Sequence, residues 1–239
     1  MNHDPIIVAL DLSDADQARA LVQRLGNAVS FYKIGMELYA AAGMNFACEL
    51  ADSGKRVFLD LKMYDIPETI KRAVKQVAKT DVEFLTVHAR LSVMQAAMDG
   101  RGTSSLKLLG VSVLTSMDEQ DLLIDTGYPA RVSELVALRS RNAMAAGVDG
   151  IVCSPLDVGA VRGVTGNKAI LVTPGVRSRA GTAMDQKRVA TPAEAVAAGA
   201  DYLVIGREVT RANDPVAEIE RIHGEIEAGS RMVTPHGVA

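Results

Sequence analysis

Three charged residues follow an apolar run in the stretch "RVFLDLKMYDIPETI", where Asp60, Lys62 and Asp65 have the spacing D-x-K-x-x-D. The run "RVFL" is typical of a buried strand. Residues two apart on a strand project to the same face, so we expect Asp60 and Lys62 to lie side by side. A surface salt bridge would explain this pair without any function. Desolvated charges are costly unless they are matched, however, so a buried pair indicates a functional site.

The chemistry that these residues favour is proton donation from a fixed position. Nearby carboxylates stabilise the protonated form of a lysine, so Lys62 would stay an ammonium group and not the free amine that a Schiff base requires. The carboxylates would also repel an anionic group of a bound substrate. The array therefore suits a reaction that expels an anionic group and protonates the carbon left behind. Asp65 has a structural alternative, because it could be the N-cap of the helix that begins near Pro67.

Other polar residues fall at or near the ends of the remaining predicted strands. Asp11 follows "IIVAL", although Ser13 and Asp14 are better placed to cap the next helix. Lys33 interrupts the apolar run "SFYKIGM" and is either a functional group or a side chain that reaches solvent from the strand edge. The other polar residues at strand ends have ordinary structural explanations when taken singly: His88, Thr115, Cys153 and Ser154.

The elements that must position these residues alternate regularly along the chain. Eight apolar runs rich in β-branched residues are separated by stretches of helical periodicity, which is the pattern of parallel βαβ units. A closed (β/α)8 barrel of the TIM type fits 239 residues better than a doubly wound sheet, whose glycine-rich loop should follow strand one. We predict one α/β barrel domain over residues 1–229 and a flexible tail over residues 230–239. The predicted strands are "IIVALDL", "SFYKIGM", "RVFLDLKM", "EFLTVHA", "LKLLGVSVL", "GIVCS", "AILVTPG" and "YLVIG".

Two glycine–arginine pairs indicate a phosphate site. Gly175 and Arg177 follow strand seven in "VTPGVR", and Gly206 and Arg207 follow strand eight in "YLVIGREVT". Barrel enzymes frequently bind phosphate with these two loops, through backbone N–H groups and the start of a helix. Arginine adds a bidentate charged contact. Either motif alone is weak, but together they predict a phosphorylated substrate.

Composition argues against several classes of partner. The chain has 48% hydrophobic and 23% charged residues, which is ordinary for a globular protein. A formal net charge of -3 gives no general attraction to nucleic acid or to a membrane surface. The apolar run before Asp11 is too short for a signal peptide or a membrane span. Cys48 and Cys153 lack metal-type spacing and are expected to be buried thiols, so we predict a reducing, cytoplasmic location.

With these residues in place, the sequence resembles the orotidine 5'-monophosphate decarboxylase family of the bacterial type. The stretch "FLDLKMYDIPETI" fits that family's D-x-K-x-x-D signature followed by Ile-Pro-x-Thr. The other landmarks occur in the family's order: "VALDL", "YKIG", "VLTSM", "VTPGVR", "DQKR" and "VIGREVT". The resemblance implies a homodimer that converts orotidine 5'-monophosphate to uridine 5'-monophosphate (UMP) and carbon dioxide, the last step of de novo pyrimidine nucleotide synthesis. It implies no metal, Schiff base or organic cofactor.

The resemblance also implies a role for each matched residue. Lys62 would donate a proton to C6 of the pyrimidine, Asp60 would lie against the departing carboxylate, and Asp65 would enter the site from the partner protomer. Asp11 and Lys33 would contact the ribose and complete an Asp-Lys-Asp-Lys network, which makes Lys33 both a catalytic and a binding residue. The remaining substrate contacts would come from Thr69, Thr115, Arg177, Gln186, Gly206 and Arg207.

Two other classes of function remain compatible with the same residues. A sugar-phosphate decarboxylase or epimerase with a metal-stabilised enediolate shares the D-x-K-x-x-D element and the phosphate loops, and a Schiff-base aldolase is a further variant. A non-catalytic barrel would bind uridine nucleotides without releasing carbon dioxide. The "IPET" continuation and the loop around Gln186 favour the nucleotide substrate, and the intact proton donor favours an enzyme.

Overall fold

The computed structural model describes residues 3–178 and 189–232, which form a closed barrel of eight parallel strands. Each strand pairs with the next along the chain, and β1 closes the barrel against β8 through pairs such as Ile7 with Val204. This confirms the predicted (β/α)8 barrel. The strands are β1 (Ile6–Ala9), β2 (Phe31–Gly35), β3 (Arg56–Met63), β4 (Phe84–His88), β5 (Lys107–Val111), β6 (Gly150–Val152), β7 (Ile170–Pro174) and β8 (Tyr202–Ile205).

Helices follow the strands and cover the outside of the barrel. A short 3-10 helix, Gly166–Lys168, precedes β7. The α-helices of the described ranges are α1 (Ala15–Leu25), α2 (Met36–Asp52), α3 (Pro67–Val77), α4 (Leu91–Arg101), α5 (Glu119–Thr126), α6 (Val132–Ala146), α7 (Val158–Thr165), α8 (Pro192–Ala197), α9 (Arg207–Thr210) and α10 (Pro215–Met232).

The first residues of α1 and α3 show whether Asp11 and Asp65 cap the helices that follow them. Asp14 caps α1, because its side chain accepts a hydrogen bond from the Gln17 N–H at 2.9 Å, and Asp11 lies outside the helix. Pro67 occupies the first turn of α3, as predicted, but the N-cap residue is Ile66. The capping explanation for Asp65 is therefore wrong. Its carboxylate accepts the adjacent backbone N–H of Ile66 at 2.6 Å.

The two faces of each strand build separate apolar layers, since successive side chains alternate across a strand. Outward side chains pack against the helices, and inward ones such as Phe31 and Phe58 fill the barrel. On β2 and β3 the inward positions change from apolar to charged toward the carboxyl end. Phe31 is followed by Lys33, and Phe58 is followed by Asp60. The alternation therefore brings charged side chains into the mouth of the barrel.

Aromatic side chains fill the amino end of the barrel. The ring of Phe31 meets those of Phe84 and Tyr202 edge-on, with centroids 5.0 and 5.6 Å away. The Arg56 guanidinium lies 4.0 Å from the Phe31 centroid and forms a 2.6 Å ion pair with Glu83. These contacts form a packed floor below the charged side chains, which face the opening at the carboxyl end.

Some predicted boundaries differ from the observed ones. β1, β5 and β6 end before Asp11, Thr115 and Ser154, which lie in the loops that follow. α10 ends at Met232, and the residues from 233 onward, which belong to the predicted tail, lie outside the described residues. In residues 3–178 and 189–232, none of the helices combines the length and apolar character needed to cross a membrane. Cys48 and Cys153 carry thiols and form no disulfide, with Cys153 buried and Cys48 half-buried.

Candidate active site

A cavity of about 760 Å³ opens at the carboxyl ends of the strands. Among the described residues, every strand except β4 contributes residues to its lining, either from the strand or from the segment that follows it. Cavities of this size at this end of a (β/α)8 barrel are the usual location of an active site. The predicted site residues that line it are Asp11, Lys33, Asp60, Lys62, Thr115, Arg177, Gly206 and Arg207.

Four of these residues form a row of alternating charges. The Lys33 ammonium lies 2.8 Å from Asp11 Oδ1 and 3.7 Å from Asp60 Oδ2, and the Lys62 ammonium lies 2.8 Å from the same Asp60 oxygen. Lys33 is buried, with 7% of its surface exposed, so its charge is neutralised by these contacts and not by water. The alternative that Lys33 reaches solvent from a strand edge is wrong.

Asp60 is the central carboxylate of the row. Its burial acts to raise its pKa, but the charges of Lys33 and Lys62, with hydrogen bonds from Lys62 and Thr86, outweigh burial and lower the pKa below its usual value. Asp60 is therefore ionised at neutral pH beside two cationic groups. Such an array is a preorganised field that can hold a substrate anion away from Asp60 and stabilise negative charge near Lys62.

Lys62 has an unusual backbone conformation. Its φ of 48° is the one positive value among the non-glycine residues of the described ranges. The pairing of β3 with β4 shifts at the same place, between Leu59 and Met63. The Lys62 N–H donates instead to the side-chain oxygen of Thr86 on β4, at 2.8 Å. Neither this bulge nor the contact with Thr86 was predicted from the sequence, because a D-x-K-x-x-D pattern carries no signal for a register shift.

Gly35, at the end of β2, has no side chain where the charged row is most crowded. A β-carbon built there would lie 2.7 Å from Asp11 Oδ1 and 2.9 Å from the Lys33 ammonium. Its φ of -87° is open to any residue, so the requirement for glycine is one of space and not of backbone conformation. The "YKIG" stretch contains this glycine, but spacing alone gave no reason to single it out.

Replacing Gly35 with alanine should displace the Asp11–Lys33 pair. The kcat/KM of the reaction catalysed at this cavity should then fall by roughly 10- to 100-fold, as it does for small misplacements in active sites. The clashing atoms are the ends of two side chains, which can move, so the midpoint of thermal unfolding should change little. Steady-state kinetics and thermal unfolding would be measured on both proteins. Gly163→Ala on α7 is the matched control, because a β-carbon there meets no atom within 4 Å. Wild-type kinetics for Gly35→Ala would contradict this account.

The loops after β7 and β8 meet at the other side of the cavity. Gly206 is the residue before α9, and Arg207 is its first residue. Gly175 has a φ of 81°, a conformation that favours glycine, and Val176 and Arg177 pair with Ala190 beyond it. Arg177, Gly206 and Arg207 line the wall of the cavity that these two loops form, and their role in binding phosphate stays a prediction.

Hydrogen bonds and ion pairs next to these residues join α9, α10 and the loop after β7 through Glu208, which also lines the cavity. The Glu208 carboxylate accepts the Ser178 N–H at 3.3 Å and the Arg221 guanidinium at 2.8 Å. Arg221 also donates to the Ser178 hydroxyl at 2.7 Å. This network was not predicted, and its residues come from three separate stretches of the chain.

Two predicted site residues do not line the cavity of their own chain. Asp65 and Thr69 are exposed at the β3–α3 turn, where Tyr64 and Ile66 are also exposed, with 56% and 66% of their surfaces accessible. Gln186 lies outside the described residues.

His88 lies beside the row without lining the cavity. Its ring stacks edge-on against Tyr64 at 5.3 Å. Burial, and then the positive charges of Arg139, Lys62 and Arg90, lower the pKa of His88, so the ring is neutral at pH 7. The described residues contain no group of three or more His, Cys, Asp or Glu side chains arranged to hold a metal ion.

An eight-stranded parallel barrel with a row of alternating carboxylates and ammonium groups at its mouth is typical of barrel enzymes, whose active sites lie at the carboxyl ends of the strands. Residues 4–222 match the model of the orotidine 5'-phosphate decarboxylase / HUMPS family. The protein belongs to this family, as the sequence motifs predict.

Individual relatives agree with this assignment. A protein from Nitrobacter winogradskyi named orotidine 5'-phosphate decarboxylase is 50% identical over 223 residues, 93% of this chain and 92% of that protein. One of the same name from Methylorubrum extorquens is 49% identical over 224 residues, 94% of this chain and 96% of that protein. The crystal structure of orotidine 5'-phosphate decarboxylase from Lactobacillus acidophilus matches with a TM-score of 0.83 at 36% identity, covering 94% of this chain and 99% of that one.

Proposed function

We propose that the protein decarboxylates orotidine 5'-monophosphate to UMP, the last step of de novo pyrimidine nucleotide synthesis. The observation that carries this proposal is the row Asp11–Lys33–Asp60–Lys62, which faces a cavity large enough for a nucleotide. The family assignment and the names of the relatives support the same reaction.

In the proposed reaction, the bond between C6 and the carboxylate breaks and its electron pair stays on C6. The Lys62 ammonium stabilises this developing carbanion and then donates the proton that forms the C6–H bond. Asp60 lies beside the substrate carboxylate and repels its negative charge. This repulsion is relieved when the carboxylate leaves as neutral carbon dioxide. Of these two contributions we assign the larger to Lys62, because preorganised electrostatic stabilisation is usually the larger effect.

The phosphate of the substrate would bind at the wall formed by Arg177, Gly206 and Arg207. Two arginines and a backbone N–H at a helix start suit a dianion. Gln186 would bridge base and phosphate, and Thr115 would contact the pyrimidine. Because the phosphate is remote from the breaking bond, its binding energy can be used for interactions that form only in the transition state.

A second copy of the chain would complete the site. Asp65 and Thr69 lie outside their own cavity and are exposed beside Tyr64 and Ile66. An exposed apolar pair around a carboxylate fits an interface in which each protomer places Asp65 in the other's site. The cytoplasmic location and the 1–229 domain boundary stay predictions from the sequence.

The test is the loss of orotate absorbance when purified protein is added to orotidine 5'-monophosphate, with UMP and carbon dioxide measured as products. Tight UMP binding without carbon dioxide release would favour a non-catalytic barrel. Activity on a sugar phosphate that is lost with a chelator would favour the metal-dependent alternative, and a lysine adduct trapped by borohydride would favour the aldolase.

Arg207→Ala should weaken UMP binding by about 10- to 100-fold, because a hydrogen bond to a charged group contributes about 1.5–3 kcal/mol. Calorimetric titration would measure UMP and uridine affinities in parallel. Uridine lacks the phosphate, so its affinity should be unchanged. Arg141→Ala, at an exposed position on α6, is the control. Equal UMP affinity in wild type and Arg207→Ala would remove Arg207 from the phosphate site.

A further inference from the structure

The side chain of Thr86 connects the two central residues of the charged row. Thr86 lies in the middle of β4 and is fully buried. Its hydroxyl oxygen accepts the Lys62 backbone N–H at 2.8 Å, and its hydroxyl hydrogen is donated to Asp60 Oδ1 at 3.0 Å. One hydroxyl group therefore contacts both Lys62 and Asp60, although Thr86 is not one of the described residues that line the cavity.

The place where these contacts occur is the irregular part of β3. The strands pair Leu59 with Leu85 and next Met63 with Val87, so β3 covers more residues than β4 over this step. The extra length forms a bulge, and bulges re-aim side chains next to active sites. Lys62 sits in this bulge with a φ of 48°, which is sparsely populated by residues that carry a β-carbon. Its N–H has left the regular strand pairing, and the Thr86 hydroxyl satisfies it.

We propose that Thr86 is a positioning residue that holds the β3 bulge, and with it the Lys62 ammonium and the Asp60 carboxylate, in their reactive arrangement. This inference rests on the proposed decarboxylase function and extends it to a residue that touches no substrate. The side chain at this position must accept one hydrogen bond and donate another at once, and a hydroxyl does both. Valine has the same shape and can do neither, whereas serine can do both.

The experiment compares Thr86→Val with Thr86→Ser. For Thr86→Val, we expect kcat to fall by roughly 10- to 100-fold, as for a small displacement of reacting groups, with UMP affinity changed little. Loss of the donated hydrogen bond should also raise the pKa of Asp60, since that bond favours the ionised form. Thr86→Ser should restore most of kcat. Thr173→Val is the matched control, because Thr173 is equally buried on β7 and its hydroxyl has no hydrogen-bond partner among the described residues.

The Asp60 pKa can be read without turnover, from the carboxyl carbon chemical shift in labelled protein. If the wild type released no carbon dioxide, the proposed function would fail, and this titration would still decide whether Thr86 holds Asp60. Wild-type kcat and an unchanged Asp60 pKa in Thr86→Val would overturn the proposal, as would an equal loss of kcat in Thr86→Ser or in Thr173→Val. If Thr86→Val does not fold, Thr86→Cys tests the same point, because a thiol is only a weak donor and acceptor, so kcat should be lower in Thr86→Cys than in Thr86→Ser.

Discussion

Lys62→Ala is expected to lower kcat on the order of 10⁴-fold or more, because in the proposed reaction Lys62 is both the general acid and an electrostatic stabiliser of the same transition state. The side chain also lies 2.8 Å from Asp60 Oδ2, so its loss should raise the pKa of that carboxyl. UMP binding should remain measurable, since the wall with Arg177 and Arg207 is untouched. Stopped-time assays of carbon dioxide release and a UMP titration would measure the two effects.

Lys168→Ala is the matched control for this prediction. Lys168 is exposed in the short helix before β7, at the end of the barrel opposite the cavity. Its replacement should change neither kcat nor UMP affinity. Near-normal turnover in Lys62→Ala would exclude Lys62 as the proton donor.

Mixed dimers of two inactive variants should regain activity if Asp65 acts in the partner's site. Asp65→Ala and Lys62→Ala should each be nearly inactive as pure proteins. In a mixed dimer, one site combines the intact Lys62 of one chain with the intact Asp65 of the other. One of the two sites in each mixed dimer is then intact, so the doubly tagged fraction should regain about one half of the wild-type activity, and an unfractionated mixture of randomly paired chains about one quarter. Co-expression with two affinity tags, followed by assay of the doubly tagged fraction, would measure this.

The control pair is Lys62→Ala with Asp60→Ala. Both residues line the cavity of their own chain and form an ion pair there, so no mixed dimer of these variants contains an intact site. This pair should stay inactive. If the doubly tagged dimers of Asp65→Ala and Lys62→Ala stay inactive, Asp65 does not act in the partner's site. If the control pair regains activity, recovery does not depend on a site shared between chains, and the result gives no support to a role of Asp65.

The barrel could be predicted from the sequence because its signals are local and repeated. Each strand is a short β-branched run, and each helix has its own apolar periodicity, so eight consistent units agree on one architecture. The row of charges was also predictable in part. Asp60 and Lys62 share a strand face by their spacing, and parallel strands bring the neighbouring strand end with Lys33 to the same rim.

What the sequence did not reveal depends on contacts between strands. Thr86 reads as an ordinary β-branched strand residue, and its importance comes from the register shift that places it against Lys62. Gly35 reads as the end of a strand, and only the positions of Asp11 and Lys33 show that a β-carbon has no space there. Distances across a barrel are set by register and twist, which no residue pattern within one strand encodes.

The aromatic floor of the barrel closes the amino end, so the charged row is reached from the carboxyl end. The rings of Phe31, Phe84 and Tyr202 and the Arg56 guanidinium occupy the far end of the described barrel, so substrate arrives at the rim and products depart by the same route. In the proposed reaction, carbon dioxide formed beside Asp60 would leave either past the bound nucleotide or after that nucleotide dissociates. The closed amino end of the described barrel therefore leaves both products a single opening, the rim at the carboxyl ends of the strands.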